Sequence, residues 1–501
     1  MKKLGVIDLG SNTTRLIVMA YEPGYSFRLT DEVSETVRLA EGIGPSRMLQ
    51  PTPIRRAVEA LHMFYSLCQS TGVDQVIAVG TSAIREAANQ AEFWTALREV
   101  TALDLRIISA EEEAYFGYLG AINALPLHTG ALFDTGGGST QVMAVRNREL
   151  TQSFSVQAGV VRFTEQYVQS DPVSRADLRR LREAAHTAFA PIDWIADLSD
   201  GKLGGIGGTV RQLARIDQKM RHYPLERVHG YVLSREAIER IIEELARRSR
   251  RDRLQIPGMK EERVDITLAG AVIIATLMDR GGFSSLLVSG QGVREGIFYQ
   301  HFLADQPQPL IADPRRFSVL NLAHLTHYEP QHCERVAHLS LSLFDQLAPL
   351  HGYGAWEREL LGYAAILHDI GISVGYYDHH KHGEYLIHNA TLLGFSHREI
   401  VIIASLVRNH RKGWGELAPY APILTPDDET RIARLSAMLR LSEYLERSKS
   451  QIVRDVRVQL GEEIVIDILA DGDAHVEIWE ASRRSGLLRR SFGRDVQIRA
   501  A

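Results

Sequence analysis

Two stretches separated by 126 residues (134 minus 8) constrain this chain more than any other feature. The first reads Val6-Ile7-Asp8-Leu9-Gly10-Ser11-Asn12-Thr13-Thr14-Arg15-Leu16-Ile17-Val18, and the second Leu132-Phe133-Asp134-Thr135-Gly136-Gly137-Gly138-Ser139-Thr140-Gln141-Val142-Met143-Ala144. In each, a short apolar run ends in an acid, a glycine-containing turn carries hydroxyls or amides, and a second apolar run returns. The pattern is that of a duplicated β-hairpin whose copies face each other across a cleft. Three glycines let the second turn point successive N–H groups into one concavity, which suits an anion. An acid beside an anion needs a hard cation between them, and Mg²⁺ fits that role. A plain Gly-Gly-Gly turn is the alternative for the second copy alone.

Further along, Gln75 to Gly80 reads as a buried strand, and Thr81-Ser82-Ala83-Ile84-Arg85-Glu86-Ala87 opens a helix. Arg85 is thereby placed at the carboxyl end of a strand, where α/β sheets present ligand groups; a solvated helix charge is the other reading. Ser109 and Glu112 form a capping box at the next helix start. Glu113 lies about 100° further round that helix and is left without a capping role. Two more Gly-rich turns open helices, at Gly204–Thr209 and at Ser289–Gly296.

These motifs stand in the order found in the exopolyphosphatase and guanosine pentaphosphate phosphohydrolase family, which the chain from Leu4 to Leu303 resembles. The resemblance implies an α/β actin-like (ribonuclease-H-like) pair of domains, over residues 1–122 and 123–305. It implies that Glu113 activates water, that Arg85 contacts phosphate and that Asp134, with Asp8 opposite, holds Mg²⁺. Substrate phosphates would be bound by Ser11, Asn12, Thr13 and Arg15 in the first turn and by Gly136, Gly137, Gly138 and Ser139 in the second. Gly207, Gly208 and Thr209 would serve in the third, and Arg294 in the fourth. Members commonly end the glycine motif with a glutamate, where this chain has Gln141; losing that charge is expected to weaken the metal site.

Pro307-Gln308-Pro309 and Asp313-Pro314 form a linker, beyond which the pattern turns helical. His332, the His368-Asp369 pair, Asp378-His379-His380-Lys381-His382 and Asn409-His410-Arg411-Lys412 resemble the HD phosphohydrolase superfamily, with Glu443 where that superfamily has its last aspartate. An all-α HD-like domain over 314–452 follows, with His332, His368, Asp369 and Glu443 as candidate ligands of a second divalent metal. A working metal phosphohydrolase, a vestigial module that lengthens a substrate channel or makes a dimer, and a plain helical module all fit. Residues 453–501 are expected to form a small α+β, strand-rich end domain, with His475–Trp479 as one strand.

A length of 501 residues requires several domains. A net charge of −5 argues against coating nucleic acid. Two unspaced cysteines, Cys68 and Cys333, point to a reducing compartment, and no apolar run spans a bilayer, so the expectation is a cytoplasmic homodimer without nucleic-acid or membrane partners. The expected activity is Mg²⁺-assisted hydrolysis of the terminal phosphoanhydride of inorganic polyphosphate, with guanosine pentaphosphate as the alternative substrate. An ATP-dependent kinase or a non-catalytic alarmone sensor could use the same fold.

Overall fold

The computed structural model describes residues 1–44, 46–411 and 413–501, so Lys412 of the basic motif lies outside the described residues. The chain forms two compact units, Met1–Ala312 and Asp313–Ala501.

The first unit is built on two sheets of matching plan. Strands β1 (Lys2–Leu9), β2 (Thr13–Glu22), β3 (Ser26–Thr36), β4 (Gln75–Gly80) and β5 (Leu105–Ile107) take the order β3-β2-β1-β4-β5. Strands β6 (Gly130–Thr135), β7 (Thr140–Arg146), β8 (Glu149–Val156), β9 (Lys202–Ile206), β10 (Val232–Ser234) and β11 (Ser285–Val288) take the order β10-β11-β9-β6-β7-β8. In both, an antiparallel hairpin is followed across the sheet by a parallel neighbour, β4 beside β1 and β9 beside β6. The duplication is therefore carried into topology. It extends to register, because Asp8 pairs with Arg15 and Asp134 with Gln141 at the same place in each hairpin. β1 and β6 are central strands, which explains why their apolar runs are nearly continuous rather than alternating.

The helix Thr267–Gly281 is apolar all round and buried along almost its whole length, the mark of a core helix. It packs on the helices Arg175–Phe189 and Arg235–Arg247, whose apolar stripes face it. The helix Val293–Phe302 packs against Ala110–Ile122 and against β1 and β2, so residues beyond 292 return to the first sheet rather than staying with the second. Among the described residues no helix is long and apolar enough to cross a membrane.

In the second unit, helices Pro330–Gln346, Ala355–Leu367, His397–Asn409 and Asp428–Leu445 enclose an apolar core. Strands β12 (Val453–Leu460), β13 (Ile464–Ala470) and β14 (Val496–Ala500) form a sheet with β13 central. Val456, Ile466 and Ile498 join the same core as Leu339, Leu361, Ile403 and Leu439, so residues 453–501 share a core with the helices. His475–Trp479, expected as a strand, begins a helix that runs to Arg484. Its alternation was misleading because the buried positions, Glu477 and Ala481, recur at i and i+4. Asp473 accepts the His475 N–H at 3.0 Å just before the helix.

Gly296 is where the two helices of the first unit touch most closely: a Cβ there would lie 1.9 Å from the backbone oxygen of Phe116. Gly296→Ala should therefore push the helices apart and cost about 1–3 kcal/mol. Denaturant unfolding of the two proteins checks this, and equal midpoints would show that the contact yields freely.

Candidate functional site

The turn joining β1 to β2 and the turn joining β6 to β7 meet at close range. A Cβ on Gly137 would stand 2.8 Å from the Ser11 Cβ, so only glycine lets the two turns approach this far. Behind them the hydroxyls of Ser11 and Ser82 are 2.9 Å apart. The third turn closes the floor: Gly207 has φ +100°, and a side chain there would also meet the Asp134 Oδ1 at 2.8 Å.

Together these elements enclose a cleft of about 820 Å³, counting its open mouth. Of the residues expected from sequence, Asp8, Ser11, Asn12, Thr13, Arg15, Glu113, Asp134, Gly136, Gly137, Gly207, Gly208, Thr209 and Arg294 line it. Arg85, Gly138 and Ser139 do not. Gly138 backs onto Ser82, whose Oγ would be 3.1 Å from an added Cβ, and the buried Ser139 hydroxyl receives the Gln141 amide at 3.0 Å. Gln141 is itself buried, gives its amide to Ser139 and is absent from the lining, so the expected effect of its neutrality on a metal has no direct geometric basis.

Arg85 is better described by what it holds. Its Nη1 donates to Glu113 Oε2 at 3.0 Å and to the Ile108 carbonyl at 2.9 Å. The capping box forms as expected: Glu112 N–H donates to Ser109 Oγ at 3.1 Å, and Ser109 N–H to Glu112 Oε2 at 2.9 Å. That leaves Glu113 one step round the helix, aimed into the cleft.

Two cleft residues that sequence reasoning missed are Arg211 and Arg263. Arg211 follows the third turn by two residues and donates to the Gly290 carbonyl at 2.8 Å. Each looks like an ordinary helix or loop cation in sequence, and only its position on the helix opened by Gly207 could have suggested the first.

Electrostatically the cleft is crowded with both signs. Burial, followed by repulsion from Asp8, pushes the Asp134 carboxyl up to about 6. Burial also raises Asp8, against the pull of Arg294 and Arg15. Burial lifts Glu113 to about 7, and Arg85 limits the rise. Burial and then Arg211 push Arg15 down to about 9, although a guanidinium still keeps its proton at neutral pH. Burial and the neighbouring Arg211 and Arg294 thus disfavour the Arg15 charge, while Asp8 and Glu32 support it.

In the second unit the four candidate ligands converge. His332 Nε2 and His368 Nε2 lie 3.2 and 3.1 Å from Glu443 Oε2, and each is 3.6 Å from an Asp369 oxygen. His379 and His410, which sequence left among scattered basic residues, join them, with Nε2 atoms 3.2 and 3.8 Å from Asp369 Oδ1.

Residues 17–304 match the Ppx/GppA phosphatase family, and residues 315–468 match domain III of the same family. The chain belongs to the Ppx/GppA phosphatase family. It is thus a hydrolase of phosphoanhydride bonds. Among its relatives, proteins named guanosine-5'-triphosphate,3'-diphosphate pyrophosphatase from Aeromonas hydrophila and Aeromonas salmonicida are 28% and 27% identical. The alignments cover 81% and 93% of this chain and 80% and 92% of theirs. Crystal structures of an exopolyphosphatase from Cytophaga hutchinsonii (TM-score 0.57) and of the Aquifex aeolicus Ppx/GppA family member (TM-score 0.52) share the fold, each at 24% identity. They cover 62% and 61% of this chain and 100% and 99% of their own. The actin-like pair of α/β domains is the fold of this Ppx/GppA chain, with a helical region and a small sheet following it.

Since Arg85 is the cation that holds the Glu113 carboxyl down, Arg85→Leu should move its titration midpoint above about 7. Isotope-edited infrared spectroscopy of the carboxyl reads this directly, and an unchanged midpoint would mean the ion pair does not tune it.

Proposed function

We propose that the chain removes the terminal phosphate of guanosine-5'-triphosphate,3'-diphosphate by in-line attack of water on phosphorus. The observation that carries this reading is the Glu113 carboxyl, clamped by Arg85 in a cleft that also holds two partly buried aspartates and four arginines. Phosphoryl transfer asks mainly for positioning and charge stabilisation, which such a site supplies. Glu113 would orient the water and take its proton. The turn amides around Gly136 and Gly137, with Arg15, Arg211, Arg263 and Arg294, would hold the phosphate chain. Arg85 positions Glu113 rather than touching phosphate.

A divalent cation fits between the turns. Asp8 Oδ1 is buried with no hydrogen-bond partner among the described residues, and Asp134 is raised by desolvation and then by repulsion from Asp8, so both carboxylates are set to receive positive charge. Mg²⁺, when bound there, would neutralise charge on the phosphoryl oxygens.

The names of the relatives favour the guanosine substrate. A second reading, inorganic polyphosphate, is favoured by the lining itself, since among the described residues no aromatic side chain lines the cleft to stack on a base. Phosphate release from guanosine-5'-triphosphate,3'-diphosphate, polyphosphate of several lengths and ATP, under one set of conditions, decides between them.

Glu113→Gln should preserve folding and apparent affinity while lowering kcat by about 10²- to 10⁴-fold. Glu112→Gln, the control, should cost about 1 kcal/mol or less of stability with a small rate effect. Normal turnover by Glu113→Gln would assign the base elsewhere.

Glu113 is a competent base only when ionised. Its carboxyl sits at about 7, so it is charged above that pH and protonated below it. The rate profile of kcat/KM should accordingly rise through about pH 7, and a profile flat from pH 5 to 8 would contradict the assignment.

A further inference from the structure

Arg85 and its neighbour Glu86 reach toward different halves of the first unit. Successive residues on a helical turn diverge by about 100°, and the two follow one another at the end of the short helix Ser82–Arg85. Arg85 holds the Glu113 carboxylate at 3.0 Å, within the half built on the first sheet. Glu86 Oε2 instead receives Arg162 Nη2 at 2.9 Å, and its Oε1 receives the Gln157 amide at 3.2 Å, from the half built on the second sheet. The Glu86 side chain is 17% exposed and that of Arg162 31%. An ion pair this close to water adds little to stability, so its placement calls for another reason.

Arg162 belongs to the helix Val160–Tyr167, and that helix is seated on the glycine turn. The Gly136 carbonyl accepts the Val160 N–H at 3.0 Å, and the Gly137 carbonyl accepts those of Val161 and Arg162 at 3.0 and 3.3 Å. A trans peptide points its N–H opposite its carbonyl, so the Gly137 N–H is turned away from the helix. The seat is tight, since a Cβ on Gly159 would lie 2.2 Å from the Gly137 oxygen. At the other end of the short helix, Ser82 meets both turns: its hydroxyl is 2.9 Å from that of Ser11 and would be 3.1 Å from a Cβ on Gly138. Five residues, Ser82 to Glu86, thus touch the first turn, the second turn, the Glu113 carboxylate and the helix that seats the second turn.

We propose that Glu86 and Arg162 are a positioning pair for phosphoanhydride hydrolysis: through Arg85 on one side and the helix Val160–Tyr167 on the other, they fix the spacing between the Glu113 carboxylate and the glycine turn that holds the phosphate. The inference rests on the reading of Glu113 as the base. In-line attack needs water at Glu113 about 3–3.5 Å from phosphorus held by the turn, and a misplacement of about 1 Å costs up to about 10²-fold. Base and cradle stand on different sheets, so neither sheet alone sets that distance. Neither Glu86 nor Arg162 lines the cleft, so both act through the groups they hold rather than by touching substrate.

The test compares phosphate release by full-length variants on guanosine-5'-triphosphate,3'-diphosphate and on polyphosphate. On the substrate that the parent turns over, Glu86→Gln and Arg162→Gln should each lower kcat about 10- to 100-fold, with KM changed less than about threefold. The double variant should be no slower than the slower single one, because the two residues act as a unit. With Glu113→Gln already present, Glu86→Gln should slow turnover no further, since the base it positions is gone; a general weakening of the fold would recur there. Thermal unfolding verifies folding, and Glu86→Asp, which keeps the charge and shortens the reach, replaces Glu86→Gln should that unfold, with the same losses expected. Parent-like kcat in the folded single variants, losses that multiply in the double variant, or an equal loss on top of Glu113→Gln overturns the positioning pair. A parent-like rate for Glu113→Gln overturns the reading of the base itself, whereas a slow Glu113→Gln beside a parent-like Glu86→Gln overturns the pair alone.

Discussion

The first unit depends on an arrangement that water would not favour: two carboxylates, Asp8 and Asp134, partly buried at the ends of the central strands of two sheets and facing the same cleft. Like charges in a low-dielectric site raise each other's proton affinity, and burial raises both. The structure tolerates this because Arg15, Arg211 and Arg294 lie within electrostatic reach. The cations are themselves mutually repelling and desolvated. Each sign therefore offsets the other. Burying such groups is weak support for stability, so the arrangement makes sense as a receptor for charge rather than as a device to hold the fold together.

Much of this was legible because it is local. The Ser109–Glu112 box needs only four consecutive residues, and it isolates Glu113 by elimination. The two hairpins run over Lys2–Glu22 and Gly130–Arg146, and their identical register could be read from spacing alone. What stayed hidden is what depends on long loops closing. Arg85 and Glu113 are 28 residues apart, and nothing in either segment says that the guanidinium meets the glutamate. Arg263 reaches the cleft from a connecting segment, and its guanidinium, which would be 2.2 Å from a Cβ at Gly208, would have to move to admit one. In the second unit, His379 and His410 sat in basic clusters that could equally have been solvated; only packing of their helices brings their rings together at 5.1 Å. The end segment failed for another reason: a five-residue alternation fits a strand as well as one turn and a half of helix, and the buried Glu477 and Ala481 decide it.

Duplication also explains an asymmetry that motif comparison alone obscures. The same 126-residue step that carries Asp8 onto Asp134 carries Arg15 onto Gln141, and both are the direct cross-strand partners of their aspartates. One hairpin thus pairs its acid with a cation and the other with a neutral amide that is turned toward Ser139. Asp8 consequently feels Arg15 as well as Arg294, while the largest charge effect on Asp134 is repulsion from Asp8. Of the two carboxylates, Asp134 is the one left short of positive charge by its own hairpin.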